Sequence, residues 1–285
     1  MTANESLRNQ PIGVFDSGMG GLTVMRALVE RLPRESFVYL GDTARLPYGS
    51  KSADTVRRYA VQCARALMRH RIKLLIVACN TASATALPAL ADVLKPVPVL
   101  GVIEPGAEAA VKAAPSGRIA VIATEGTVNG RAYERAIHAR NPAAVVTQQA
   151  CPLFVALAEE GVTHGPIAEL AAKRYLDPVF AAASPECLVL GCTHFPVLKE
   201  TIARVAGPGV RLVDSAETTA IAVESMLAKQ GLVRAAGTRE LRFLATDAPE
   251  RFARVGELFL GSKIAAADVE LVDLDASLNL AIAGQ

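Results

Sequence analysis

Two cysteines in this chain stand where an apolar run gives way to hydrogen-bonding residues. Leu74-Leu75-Ile76-Val77-Ala78 leads into Cys79-Asn80-Thr81-Ala82, and Leu188-Val189-Leu190-Gly191 leads into Cys192-Thr193-His194. Each pattern reads as a buried strand that ends at a thiol, with a new element starting just beyond it. In open α/β sheets that junction is where ligands sit. A thiol there faces the positive end of a helix dipole, which favours the thiolate. The two cysteines are 113 residues apart.

Several chemistries suit such thiols. Any cysteine can be a small buried hydrophobe, and that reading fits Cys63 in mid-helix, Cys187 at a strand start, and Cys151 before a proline as core or pocket lining. Zinc is a second option, because Cys187, Cys192 and His194 are close in sequence; the usual four-ligand spacings are missing. A redox dithiol is a third, but no Cys-x-x-Cys occurs. A fourth is proton transfer by two thiols on opposite faces of one carbon. Inverting a stereocentre needs one group to take a proton and another to return one from the other side. Each sulfur must approach to roughly 3–3.5 Å, which puts the two about 7 Å apart across the substrate.

The elements that would position these thiols can be read in order. Ile12-Gly13-Val14-Phe15 is a strand running into Asp16-Ser17-Gly18-Met19-Gly20-Gly21 and then a helix to about Leu32. Thr23 replaces the third glycine of a dinucleotide fingerprint, so that motif is rejected. Phe37 to Leu40 is a second strand, followed by the long loop Gly41-Asp42 to Pro47-Tyr48-Gly49. Gly49-Ser50-Lys51-Ser52 fails as a phosphate loop, since Ser50 stands where glycine must precede the lysine. Helices are expected over 53–69 and from Ala82 to about Leu94, then a strand at 99–103 and a helix from Glu104. A strand over 118–123 follows, with a helix over 129–140, a strand over 144–147 and a helix over 166–183. Past the Cys192 strand come a helix over 196–206, a strand at 210–215, a helix over 216–230, a strand over 241–245, a helix to Leu260 and a last strand at 269–272. The tail beyond is expected to be loose. Ile12 to Gly18 resembles Ile119 to Gly126 at an offset of 107, close to the 113 of the cysteine motifs. Two related halves are the simplest explanation.

The fold class is therefore α/β, with two pseudo-symmetric α/β domains, mainly parallel sheets and an active site in the cleft between them. The first domain takes residues 1–99 plus 212–285 and carries Asp16 and Cys79. The second, 100–211, is inserted and carries Cys192 and His194.

Composition narrows the function. The chain has 285 residues, 51% of them hydrophobic in type, with 20% charged and a net charge of +2. That balance leaves no electrostatic footprint for nucleic acid or an anionic membrane. The polar N-terminus lacks an apolar signal core, and no run approaches the roughly 18 apolar residues of a membrane span. The cytoplasm is the expected compartment, with five cysteines as free thiols.

Taken together, Phe15-Asp16-Ser17-Gly18-Met19-Gly20-Gly21-Leu22, Gly41-Asp42 with Leu46-Pro47-Tyr48-Gly49, Cys79-Asn80-Thr81-Ala82, Cys151-Pro152-Leu153-Phe154 with Glu159-Glu160-Gly161, Gly191-Cys192-Thr193-His194-Phe195-Pro196 and Val213-Asp214-Ser215 resemble the cofactor-independent aspartate/glutamate racemase superfamily, and within it the glutamate racemases. The resemblance covers about Ile12 to Val272. It implies that Cys79 and Cys192 are the catalytic pair, one deprotonating each enantiomer, with Asp16 assisting on the Cys79 side and His194 on the Cys192 side. Asn80, Thr81 and Thr193 match groups that bind the α-carboxylate and α-ammonium, and Asp16 should attract the ammonium as well. Ser17, Tyr48 and Gly49 match groups that hold the far carboxylate. Thr124 and Glu159 or Glu160 are candidates for the pocket wall. No cofactor and no metal are implied; the partner is small-molecule glutamate, and relatives are often homodimers. D-glutamate of this origin feeds peptidoglycan synthesis. Two rivals are a racemase of another small acid such as aspartate, and an amino-acid-binding regulatory protein on the same scaffold; a degenerate binder could discard either thiol, and this chain retains both.

Overall fold

The apolar runs become short buried strands, and the segments between them become covering helices. The structure, a computed structural model, describes residues 3–274, so the tail expected to be loose lies, from residue 275, outside the described residues. The strands are β1 (Ile12–Asp16), β2 (Phe37–Gly41), β3 (Leu74–Val77), β4 (Val99–Gly101), β5 (Arg118–Ala123), β6 (Val145–Ala150), β7 (Cys187–Gly191), β8 (Arg211–Asp214), β9 (Leu241–Ala245) and β10 (Val269–Leu271). The helices are α1 (Ala3–Asn9), α2 (Leu22–Arg31), α3 (Ala53–Met68), α4 (Asn80–Val93), α5 (Ile103–Ala113), α6 (Glu125–Asn129), α7 (Ala132–His138), α8 (Pro152–Glu159), α9 (Pro166–Ala183), α10 (Lys199–Ala206), α11 (Ser215–Gln230) and α12 (Pro249–Leu260).

Two sheets form, in the orders β10-β9-β2-β1-β3-β4 and β6-β5-β7-β8. Every strand pair among the described residues is parallel. Parallel strands need helical crossovers and are buried on both faces, which accounts for their nearly continuous apolar sequences. The pleat sorts their side chains. Ile12, Val14, Leu74 and Ile76 join a core that also takes in Ala120, Ile122, Leu188 and Leu190 of the other sheet, whereas Phe15, Leu75 and Val77 face the layer of α3 and α4. Helix α11 packs on α2 and on α5, tying the two layers together.

The repeat is visible in the ladders. Phe15 pairs with Val77 in the first sheet, and Ile122 pairs with Leu190 in the second. These are equivalent positions under the 107 and 113 offsets, so Cys79 and Cys192 each lie two residues past matching rungs.

Some boundaries differ from the sequence reading. The division expected at 99/100 and 211/212 cuts β4 and β8; by sheet pairing, the chain leaves the first sheet after Gly101 and leaves the second after Asp214. The helix expected over 129–140 is broken in two, because Arg131 takes a left-handed conformation with φ 47°. The helix expected from Pro196 begins as a 3₁₀ turn, Phe195–Leu198, before α10.

At the ends of the first sheet opposite Cys79, Lys73 is buried with its ammonium donating to Glu35 Oε2 at 2.6 Å, Arg8 O at 2.7 Å and Leu232 O at 2.9 Å. All three ammonium protons are satisfied, which is the condition for tolerating a buried charge pair.

Candidate active site

The carboxyl ends of β1, β3 and β7 bring Asp16, Cys79 and Cys192 to one region. Strand β1 stops because Ser17-Gly18 turns back: the Asp16 carboxylate accepts the Gly18 N–H at 2.9 Å. The loop then runs close beneath the second sheet. A Cβ on Gly20 would lie 2.4 Å from His194 Nδ1, so only glycine permits that approach. Thr23 donates to Thr193 O at 2.9 Å and Thr193 donates to Asp16 at 3.5 Å, sewing the two strand-end loops together.

Cys79 is the N-cap of α4. Its sulfur accepts the Ala82 N–H at 3.5 Å and its thiol donates to Ser17 Oγ at 3.5 Å. The helix dipole does not make it a resting thiolate, contrary to expectation. Burial, with the Asp16 charge adding to it, pushes the Cys79 thiol up to about 12, against the weaker help of Ser17 and Ala82. Asp16 is itself fully buried and pushed up by that burial; His194 and the N–H groups of Gly21, Gly18 and Ser17 pull it back.

Cys192 has a different neighbour. Its sulfur lies 3.8 Å from His194 Nδ1, and His194 Nε2 lies 3.1 Å from Glu159 Oε1. Burial alone would lower His194. The hydrogen bonds to Cys192 and Glu159 and the negative charges of Cys192 and Asp16 outweigh it, raising His194 to about 10. These partners hold the ring toward its protonated form. Burial works to raise Glu159, but His194 and Arg251 hold it below its usual range, the latter through an Nη2–Oε2 contact of 2.7 Å.

Asn80 follows Cys79 at the start of α4. Its Oδ1 accepts from the Tyr133 hydroxyl at 2.7 Å, while its Nδ2 is buried with no protein partner. Nearly all buried donors are paired, so this one is available for a ligand. Thr81, Thr124 and Thr127 form a triangle of hydroxyls at 3.0 to 3.3 Å. Thr124 also packs on Gly49, where a Cβ would meet it at 2.7 Å. A cavity of about 330 Å³ opens alongside, lined in part by Leu46, Gly49, Ser50, Thr124, Val155 and Glu159.

Most expected site residues thus converge: Asp16, Ser17, Cys79, Thr193, Cys192 and His194 are linked by direct contacts, with Asn80 and Thr81 adjacent. Tyr48 is the exception among side chains. Its ring is buried and its hydroxyl donates to Asp42 Oδ2, which also takes Arg45 Nε at 2.7 Å, so Tyr48 braces the loop from within and leaves Gly49 and the backbone at the cavity. Of the pocket-wall candidates, Glu159 lies on His194, and Glu160 is exposed at the end of α8. Cys187 is core at the far end of β7 from Cys192, so the zinc set does not assemble. Tyr133 and Arg251 were not anticipated. Each reaches the site from an element distant in sequence, and neither carries a local motif; Asp42 belongs to the quoted Gly41-Asp42 motif, but its pairing with Arg45 was not anticipated.

A family model described as Asp/Glu/hydantoin racemase matches residues 12–223. A glutamate racemase of Geobacter metallireducens is 50% identical over 266 residues, covering 93% of this chain and 97% of that protein. Among solved structures, the glutamate racemase of Francisella tularensis in complex with D-glutamate superposes with a TM-score of 0.88 at 40% identity, covering 94% of this chain and 99% of that one. That of Thermus thermophilus, in complex with β-chloro-D-alanine, gives 0.83 at 45% identity, covering 94% and 98%. Among the described residues no helix is long and apolar enough to cross a membrane.

Proposed function

The chain belongs to the Asp/Glu/hydantoin racemase family, and on that premise we propose that it interconverts L- and D-glutamate through Cys79 and Cys192. The observation that carries this reading is the placement of two thiols at matching positions beyond matching strand pairs, close enough that charge on Cys192 opposes ionisation of Cys79. The relatives of high identity are glutamate racemases, which disfavours the aspartate alternative.

One sulfur, as thiolate, takes the α-proton: the Cα–H bond breaks and an S–H bond forms. The other sulfur, as thiol, delivers its proton to the opposite face and is left as the thiolate. Cys79 starts protonated, held so by burial and Asp16. On the other side the His194 imidazolium, 3.8 Å from Cys192, offsets negative charge on that sulfur whenever it carries one. The α-proton of an amino acid is a weak acid, so preorganised charge must carry the barrier reduction. Asn80 Nδ2 with the hydroxyls of Thr81 and Thr193 suits the α-carboxylate, and Asp16 suits the α-ammonium. Ser17 and the Tyr48–Gly49 backbone suit the far carboxylate. The resemblance implies no cofactor. We read the enzyme as cytoplasmic, since five unpaired cysteines suit a reducing compartment, and its D-glutamate as a peptidoglycan precursor.

The test is a chiral assay of the purified protein with glutamate in deuterated water and no added cofactor. Product should carry deuterium at Cα, and Cys79→Ser and Cys192→Ser should each remain folded and lose most racemisation. Product keeping its original hydrogen, or full activity in either variant, refutes the two-thiol mechanism.

A further inference from the structure

We propose that Arg251 is a positioning residue for the Cys192 half of the reaction, holding Glu159 on His194 from the opposite layer of the fold; this rests on the two-thiol reading above. Four groups form a continuous line. Arg251 Nη2 meets Glu159 Oε2 at 2.7 Å, Glu159 Oε1 meets His194 Nε2 at 3.1 Å, and His194 Nδ1 meets Cys192 Sγ at 3.8 Å. The ends of that line come from different sheets. Helix α12 packs on α2 and β10 of the six-stranded sheet. Glu159 closes α8, the helix that follows β6 of the four-stranded sheet.

The same helix also sets the plane of the imidazole. Phe259, two turns along α12 from Arg251, meets the His194 ring edge-to-face with centroids 5.2 Å apart. Gly20 closes in on the Nδ1–Cε1 edge of the ring. Position and partner of His194 are thus both fixed from α12. Both Glu159 oxygens are committed, one to the guanidinium and one to the imidazolium, so this carboxylate is a brace and not a spare base. Among the described residues the Cys79 side has no such line of charged groups: its sulfur is met by Ser17 Oγ and the Ala82 N–H, both near in the same sheet's loops, and the cross-sheet contact to Asp16 is a single Thr193 hydroxyl at 3.5 Å. Removing Arg251 should therefore act on one half-reaction.

Enantiomers have equal free energy, so kcat/KM must fall by one factor in both directions whichever step is damaged. Direction appears in isotope effects instead. The ion pair is partly exposed, with 39% of the Arg251 side chain accessible, so a loss of about tenfold is expected for Arg251→Gln. Arg251→Lys should recover most of it. With Cα-deuterated substrates, the isotope effect on kcat/KM should rise for the enantiomer that gives its proton to Cys192 and fall for the other. Arg254→Gln, exposed on the same helix, should match the wild type. A second readout needs no substrate: the His194 imidazole, followed by nuclear magnetic resonance, should titrate about one unit lower in Arg251→Gln and return in Arg251→Lys. A midpoint unchanged or raised overturns the proposal, as do isotope effects that move together in both directions. If the wild type fails to racemise glutamate, the function assigned above falls, and the titration still decides whether Arg251 holds Glu159 on His194.

Discussion

Deleting one oxygen, in Tyr133→Phe, isolates the anchoring of Asn80 from every other contact at the site. Tyr133 is fully buried on α7, and its ring packs on Gly106 and Gly191. Phenylalanine keeps those contacts. What it removes is the donor at 2.7 Å from Asn80 Oδ1, and that bond orients the amide so that Nδ2 is the free end. Without it Asn80 has a buried acceptor unpaired, a cost of about 1–3 kcal/mol, and the amide can turn over. If that cost falls on the substrate-bound state, kcat/KM for glutamate drops by roughly 5- to 160-fold at 1.36 kcal/mol per tenfold. Asn80→Ala should lose at least as much, and the double variant Asn80→Ala/Tyr133→Phe should be no worse than Asn80→Ala alone, because the phenol acts only through the amide. Steady-state racemisation by circular dichroism in both directions measures all three, with thermal melts to confirm folding. Wild-type kcat/KM in Tyr133→Phe, or additive losses in the double variant, would refute the assignment of Asn80 Nδ2 to the substrate.

Two further outcomes follow from the buried polar groups. Lys73→Met leaves Glu35 without its cation in a site only 2% exposed, and urea unfolding should show a loss of about 3–5 kcal/mol, with Lys73→Met/Glu35→Leu recovering much of it; a single variant within about 1 kcal/mol of wild type would show that the pair is not buried as described. Tyr48→Phe should cost about 1 kcal/mol of stability, since Asp42 keeps Arg45 and Thr246, with KM for glutamate within about twofold. A tenfold rise in KM at unchanged stability would instead put the Tyr48 hydroxyl on the substrate.

Much of this was legible in the sequence because parallel strands announce themselves. Leu74–Val77 and Cys187–Gly191 are apolar on both faces and end at a change of chemistry, which is also where a ligand site must be. Asp16, Cys79, Cys192 and His194 were singled out that way and through their motifs, and the fold brings them to one region. The helix break at Gly130-Arg131 was not, since an arginine in a left-handed conformation has no sequence signature. Nor was the state of Cys79: a thiol at a helix start looks acidic until its burial and the neighbouring carboxylate are known, and both are tertiary facts. Arg251 and Tyr133 stayed hidden for the same reason. An arginine in an amphipathic helix and a tyrosine in an alanine-rich one are ordinary residues until the other layer is packed against them. Tyr48 was assigned by its motif, and the motif placed the loop rightly while saying nothing of which way the ring turned.

The matching registers of the two sheets have a consequence for how such a chain can arise and be rebuilt. At the equivalent offsets Cys79 corresponds to Cys192, but Asn80 corresponds to Thr193, Thr81 to His194, Asp16 to Ala123 and Ser17 to Thr124. The repeated scaffold keeps the two thiols as a like pair, with the Ser17 and Thr124 hydroxyls a second, while the other groups around them differ. A rotation between two copies is all that is needed to present a base to each face of a flat carbon, so a paired single half already contains the geometry of inversion. Divergence of the neighbours then gives each thiol its own environment, a serine, an aspartate and burial on one side, an imidazolium and its brace on the other. A molecule that treats mirror-image substrates evenly at equilibrium is thus free to be lopsided in every other respect.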